Sequence, residues 1–204
     1  MGERAETPPG GLDQGVLERV RARDPVAMNR FFDAYFDRVH AYVTRLVRDA
    51  VLAEDLTQDA FIRMHGAIDR LDPTRDPSPW VFTVVTNTVR DWWRSRHHRM
   101  GQRQVPLDEA WSIPEERDSR TPDRALERKE DAAMVRQAMG RLSPADREVL
   151  LLKDYQGLKT AEIEQILGLG ADAVRQRHSR AVRRLGVTYR ELRGIDGDER
   201  QTAR

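Results

Sequence analysis

Cysteine is absent from this chain of 204 residues, which excludes disulfides and thiolate metal sites. Long apolar runs are absent too. Nothing approaches the roughly 20 residues that cross a bilayer, so membrane insertion is not expected. The stretch from Met1 to Gln14 is polar and carries Pro8, Pro9, Gly10 and Gly11. It lacks the apolar core of a secretory signal and reads as a flexible tail over 1–13 on a cytoplasmic protein. Strand-type alternation is nearly missing, which leaves helix as the dominant period. Net charge is small, +1 from 35 basic and 34 acidic residues, so the overall balance does not point to nucleic acid. The five histidines (His40, His65, His97, His98 and His178) have no metal-ligand spacing, and no nucleophile–base pair stands out. Neither a cofactor nor an enzymatic role is therefore expected.

What is present is charge, sorted into blocks. Charged residues make up 34% of the chain and hydrophobic ones 39%, polar for one globule but enough for two small helical cores. Basic residues concentrate at Arg90 to Arg103 and Arg175 to Arg193, acidic ones at Asp49 to Asp59 and Asp108 to Asp131. Separate faces of opposite sign suit a chain that holds DNA with one and protein with the other; the plainer reading is two solvated helix faces. Asp24-Pro25 opens a helix as cap and first residue, with an apolar stripe at Met28, Phe32, Tyr35, Val39, Tyr42 and Leu46. A second helix puts Leu56, Ala60, Met64 and Ile68 on one face. The prolines at 73, 77 and 79 make a loop, and Ser78-Pro79 is expected to cap a third helix to about Arg99. Pro106, Pro114 and Pro122 then interrupt any period. The expectation is all-α: an N-terminal helical bundle over 14–100, a flexible linker over 101–123, a C-terminal helix-turn-helix domain over 124–193, and a tail over 194–204.

The stretch from Lys159 to Leu185 reads as helix, turn, helix, with Gly168-Leu169-Gly170 as the turn. From Arg175 to Arg184 there is no acidic residue. A helix fits the major groove with its early exposed residues against base edges, and Arg and Gln have the donor geometry to read guanine and adenine. Arg175, Gln176 and Ser179 are candidate base readers; Arg177, Arg180, Arg183 and Arg184 suit phosphates. Asp172 brings a negative charge close by, and His178, on the inward stripe, is expected to be a satisfied core residue. In the N-terminal half, Asp55, Gln58 and Asp59 stand one turn apart as a docking face for a basic partner. Trp80, Phe82, Asn87, Trp92 and Trp93 interleave with Arg90, Arg94, Arg96 and Arg99, a mixture suited to single-stranded DNA, although most of these aromatics sit at core spacing.

Together the two halves resemble the sigma factors of bacterial RNA polymerase, in the two-domain extracytoplasmic-function group. The residues carrying the resemblance are AEDLTQDAF at Ala53 to Phe61, PWVFTVVTNTVRDWWRSRHHR at Pro79 to Arg99, and LSPADREVLLLKDYQGL at Leu142 to Leu158 with the helix-turn-helix after it. It spans residues 14 to 193. The resemblance implies promoter-specific transcription initiation. Asp55, Leu56, Gln58, Asp59 and Phe61 would form the docking segment for core RNA polymerase, the polar ones facing the beta-prime clamp, with beta also contacted. Arg75, Asn87, Arg90 and Arg94 would meet the minus-10 element, and Asp72 to Ser78 would match the loop that captures a flipped base. Arg175, Gln176, Arg177, Ser179 and Arg180 would meet the minus-35 element. An anti-sigma protein is a further partner it implies. Three positions depart from the family pattern: Glu164 for a small residue, Gly170 for a Ser or Thr cap, and His178 for an aliphatic one. An ordinary helix-turn-helix repressor or activator would explain the C-terminal half and leave the acidic and aromatic-basic helices without a purpose.

Overall fold

Three aspartates start the first three helices of the computed structural model, which describes residues 11–100 and 122–194. Asp13, Asp24 and Asp49 each accept a hydrogen bond from the backbone N–H three residues on, at 2.8, 2.9 and 3.0 Å. Each bond satisfies a donor that has no partner inside the helix. The helices are α1 (Gln14–Arg21), α2 (Pro25–Val47), α3 (Ala50–Gly66), α4 (Ser78–Met100), α5 (Pro122–Gly140), α6 (Pro144–Leu150), α7 (Thr160–Leu167) and α8 (Ala171–Arg193). A 3-10 turn at Ile68–Arg70 follows α3, and a π-type turn at Leu151–Tyr155 follows α6. The all-helical expectation holds among the described residues. None of their helices is long and apolar enough to cross a membrane. By compactness the chain divides in two. One unit holds α1–α4 and gathers Ala161–Gly168; the other holds α5, α6 and α8. The linker expected over 101–123 lies outside the described residues except for Pro122 and Asp123, which already belong to α5.

In the first unit α3 packs on α2 and α4, and α1 on α2. Phe31, Tyr35, Val39, Tyr42 and Leu46 of α2 are buried with Leu56, Ala60 and Met64 of α3 and Val81, Phe82, Val85 and Val89 of α4. Two hydroxyl pairs cross this core, Tyr35 with Ser78 at 2.9 Å and Tyr42 with Thr86 at 3.0 Å. They satisfy polar atoms that would otherwise be stranded away from water. Ser78 therefore does not cap α4, as Ser78-Pro79 suggested. It is the first residue of the helix and is buried, while the Asp76 carboxylate accepts its backbone N–H at 2.8 Å. Helix α1 was not expected, and Leu12, assigned to a flexible tail, is fully buried. Asp13 caps a short amphipathic helix that buries Leu17 and Val20, and Gly11 O accepts a bond from Arg30 at 2.9 Å.

In the second unit α5 and α6 both pack on α8. Ser143 caps α6 as expected, accepting the Asp146 N–H at 3.1 Å, with Pro144 in the first turn. The largest side chain sealed inside is Arg147, 1% exposed. Its guanidinium donates to the carbonyls of Met139, Gly140 and Leu142 at 3.1, 3.1 and 3.0 Å. A cation there answers both the unpaired carbonyls and the negative end of the α5 dipole. Replacing Arg147 by Ala strands those carbonyls in the core. The expected cost is about 3 kcal/mol, read as a lower urea midpoint for the transition that melts the C-terminal unit.

Candidate nucleic-acid and protein interfaces

Helix α3 turns two kinds of side chain to opposite sides. Asp55, Gln58 and Asp59 are exposed on the outer one. Leu56, placed in the docking segment by the motif, is 2% exposed; it belongs to the core because it lies on the Ala53–Ala60 side. Phe61 is half-buried, edge-on to Phe32 at 5.3 Å and stacked on Phe36 at 5.9 Å. Phe36 itself is exposed and stacks on the His40 ring at 6.0 Å, and Ile62, one turn beyond Gln58, is also exposed. The outer face of α2 and α3 thus combines Phe36, Phe61 and Ile62 with the exposed acids Asp33, Asp37, Asp55 and Asp59. Sequence reading found the acids of α3 and missed Phe36 and Ile62. Phe36 fell between the stripe positions of α2, and only the neighbouring ring shows that it extends a surface.

The loop before α4 is shaped by its own side chains. The Asp72 carboxylate accepts from the backbone N–H and the hydroxyl of Thr74 at 3.0 and 2.7 Å, an arrangement typical of aspartate turns. Those bonds, the hydroxyl first, hold Asp72 below the ordinary carboxylate pKa. Arg75 is exposed and stands 4.0 Å from Asp72. On α4, Asn87 is exposed and Arg90 half-buried. Arg94 is paired with Asp91, which also takes Arg63 of α3 at 2.7 Å. The Arg63 bond first, then Arg94, keeps the Asp91 pKa below normal against the opposing effect of burial. Phe82, grouped with the base-stacking aromatics by its spacing, is fully buried and edge-on to Tyr42 at 5.4 Å. It faces the core because it shares the Val81–Val85–Val89 side. Trp80, Trp92 and Trp93 are half-buried, and Arg96 lies over the Trp92 ring at 5.1 Å.

In the second unit α8 presents one continuous polar face. Arg175, Gln176 and Ser179 are exposed, and with Arg180 and Arg183 they line a shallow open hollow. Arg177 is half-buried. Gly170 caps α8 without any side-chain bond, and Arg175 is paired with Asp172 in the first turn. His178 has a partner, but it is half-buried and not the core residue expected: its Nε2 lies 2.8 and 2.9 Å from the two carboxylate oxygens of the half-exposed Asp154. Two of the arginines assigned to phosphate by sequence have a second attachment. Arg180 and Arg184 each reach Asp146 of α6 at 2.9 Å, and that carboxylate is 1% exposed. Farther along, Tyr189 donates to Asp131 of α5 at 3.1 Å, and Arg193 pairs with the same residue.

Burial alone would raise the pKa of Asp146. The hydrogen bonds of Arg180 and Ser143 and the charges of Arg180 and Arg184 outweigh it, so the value lies below the ordinary 3.8. A carboxylate with a depressed folded pKa contributes stability that is fully present above its unfolded value and is lost as pH falls through the folded one. The C-terminal unit is therefore expected to weaken below about pH 4. Asp146→Asn should flatten that part of the acid-unfolding curve measured by circular dichroism.

Comparison with known proteins finds family segments that include both candidate surfaces. Residues 31–99 match the model for sigma-70 region 2 and residues 132–185 the model for sigma-70 region 4. The chain is 33% identical to the ECF RNA polymerase sigma factor BldN of Streptomyces coelicolor over 172 residues, 83% of this chain and 63% of that protein. It is 30% identical to the RNA polymerase sigma factor CarQ of Myxococcus xanthus, covering 86% of this chain and 97% of that one. Of two relatives it spans less than two thirds of the length, 63% and 38%. Among solved structures it resembles the sigma factor RpoE bound to the anti-sigma factor NepR from Bartonella quintana. The TM-score is 0.64 at 20% identity, over 83% of this chain and 98% of that one, a likeness of fold.

Proposed function

The chain belongs to the sigma-70 family, in its extracytoplasmic-function group, and from that premise we propose that it binds core RNA polymerase and directs promoter-specific initiation. The observation that carries the reading is the pairing, in one chain, of an exposed acidic and aromatic face on α2–α3 with an exposed Arg175–Gln176–Ser179 face on α8. The first is suited to a basic partner: Asp55, Gln58, Asp59 and Phe61 dock on the beta-prime clamp, with Leu56 holding the helix from inside. The second reads the minus-35 element, Arg175 and Gln176 on base edges and Arg177 and Arg180 toward phosphate. Arg75, Asn87, Arg90 and Arg94 meet the separated strand of the minus-10 element, and the Asp72–Ser78 loop receives an extruded base.

The mechanism is binding energy. Docking brings two weak DNA-reading surfaces to one promoter, and tethering raises the effective concentration of each. Capture of unpaired bases shifts the duplex toward its open form. Arg175 and Arg94 sit in exposed pairs that exchange readily for phosphate, and because each reading surface is weak by itself the free chain is expected to bind DNA weakly. An anti-sigma protein that covers the α2–α3 face would block docking. A helix-turn-helix regulator acting without polymerase would leave the region 2 segment over 31–99 without a role.

Run-off transcription with core polymerase on selected promoter sequences tests the reading, and absence of stimulation on every selected sequence rejects it. Asp55→Arg with Asp59→Arg is expected to abolish binding to core polymerase with helical content unchanged. Arg175→Ala is expected to cost about 1–3 kcal/mol at one or two minus-35 positions, read as altered promoter preference in competition assays.

A further inference from the structure

Two arginines of α8 are held by a buried acid of α6 that the minus-35 reading did not need. Asp146 sits on α6, and its side chain is 1% exposed, whereas the two guanidiniums it holds are 53% and 58% exposed. Its Oδ1 accepts from Nε and Nη2 of Arg180 at 3.3 and 2.9 Å, and its Oδ2 accepts from Nη1 of Arg184 at 2.9 Å. One carboxylate thus grips two arginines one turn apart on the helix that lines the hollow with Arg175, Gln176, Ser179 and Arg183. A surface arginine samples many rotamers. One held by a carboxylate that water cannot reach keeps its position, and its positive charge is already largely answered within the protein. Arg183, on the same stretch of α8, has no acid partner among the described residues.

We propose that Asp146 is a positioning residue for DNA reading. It fixes Arg180 at the edge of the hollow, so that the remaining N–H groups of Arg180 meet DNA in one register. It also withholds the charge of Arg184 from indiscriminate phosphate contact. The effect is to favour sequence discrimination over raw affinity, because phosphate contacts strengthen binding without carrying sequence information. The inference rests on the minus-35 reading of α8 and goes beyond it, since Asp146 touches no base.

The test uses the full chain and Asp146→Asn, which keeps the shape of the side chain and leaves the Ser143 cap to the backbone N–H. A fluorescent random-sequence duplex titrated at several salt concentrations reports the number of phosphates engaged. The variant is expected to bind this duplex several-fold more tightly at low salt, with a log–log salt slope steeper by about one unit or more. Holoenzyme made with it should discriminate less between a selected promoter and one with a scrambled minus-35 element. Asp146→Glu, which restores the charge, should recover discrimination. A purely structural role would lower the melting temperature and leave slope and discrimination unchanged, and that result overturns the proposal. If Asp146→Asn does not fold, Arg184→Gln decides. A withheld charge predicts an unchanged slope, whereas Arg183→Gln should reduce its magnitude by about 0.9; equal loss in both overturns it. Should Arg175→Ala and Gln176→Ala also leave discrimination intact, the minus-35 reading itself fails. If only Asp146→Asn does so, the failure belongs to this inference alone.

Discussion

A carboxylate in the interior must be neutralised or paired, because leaving it charged and alone there costs several kcal/mol. That constraint organises the C-terminal unit. Asp146 cannot meet water, so α8 has to bring Arg180 and Arg184 to it, and the rotation of α8 about its own axis follows. Once those two arginines face α6, Val174 and Ala181 are the buried positions of the helix, and Arg175, Gln176 and Ser179 stand outside. Arg147, the next residue in the chain, turns the other way and closes the end of α5 through three carbonyls. Two adjacent charged residues on one short helix thus tie together the three helices of the unit.

The N-terminal unit meets the same demand differently. Its core is aromatic and aliphatic, and two pairs of neutral hydroxyls cross it between α2 and α4. Charges stay at the surface, where Arg63, Asp91 and Arg94 form an exposed cluster whose value to stability is small and weakened by salt. Such a cluster yields easily to a nucleic-acid phosphate, whereas the Asp146 pairs do not. The two surfaces proposed to meet DNA therefore differ: α4 offers cations in exposed, exchangeable pairs, and α8 offers cations held by a buried carboxylate. That difference fits one surface that meets a changing, opening duplex and another that reads an intact one.

The departures from family pattern on α8 find local accommodation. His178 replaces an aliphatic side chain but keeps a partner in Asp154, which makes its partial burial tolerable. Gly170 offers no capping atom, a loss of only a few tenths of a kcal/mol relative to a capping side chain. Neither change disturbs the face that carries Arg175, Gln176 and Ser179.

Much was legible along the chain because it depends on near neighbours. The caps at Asp24 and Ser143, the helical periods, the glycine turn before α8 and the motifs from Ala53 and Leu142 all involve residues within a few positions of each other, where spacing and chemistry suffice. What only the folded chain decided involves partners far apart in sequence. Helix α1 is only 8 residues long, too short for its period to stand out in the sequence, and it is held by burial of Leu12, Leu17 and Val20. Ser78 is drawn inward by Tyr35, 43 residues away. Phe36 becomes part of a surface through Phe61, and Arg180 and Arg184 are claimed by Asp146 across 34 and 38 positions. An arginine on a polar stripe looks the same in sequence whether it faces phosphate or a buried acid. Which it does depends on a carboxylate that only packing brings within 3 Å.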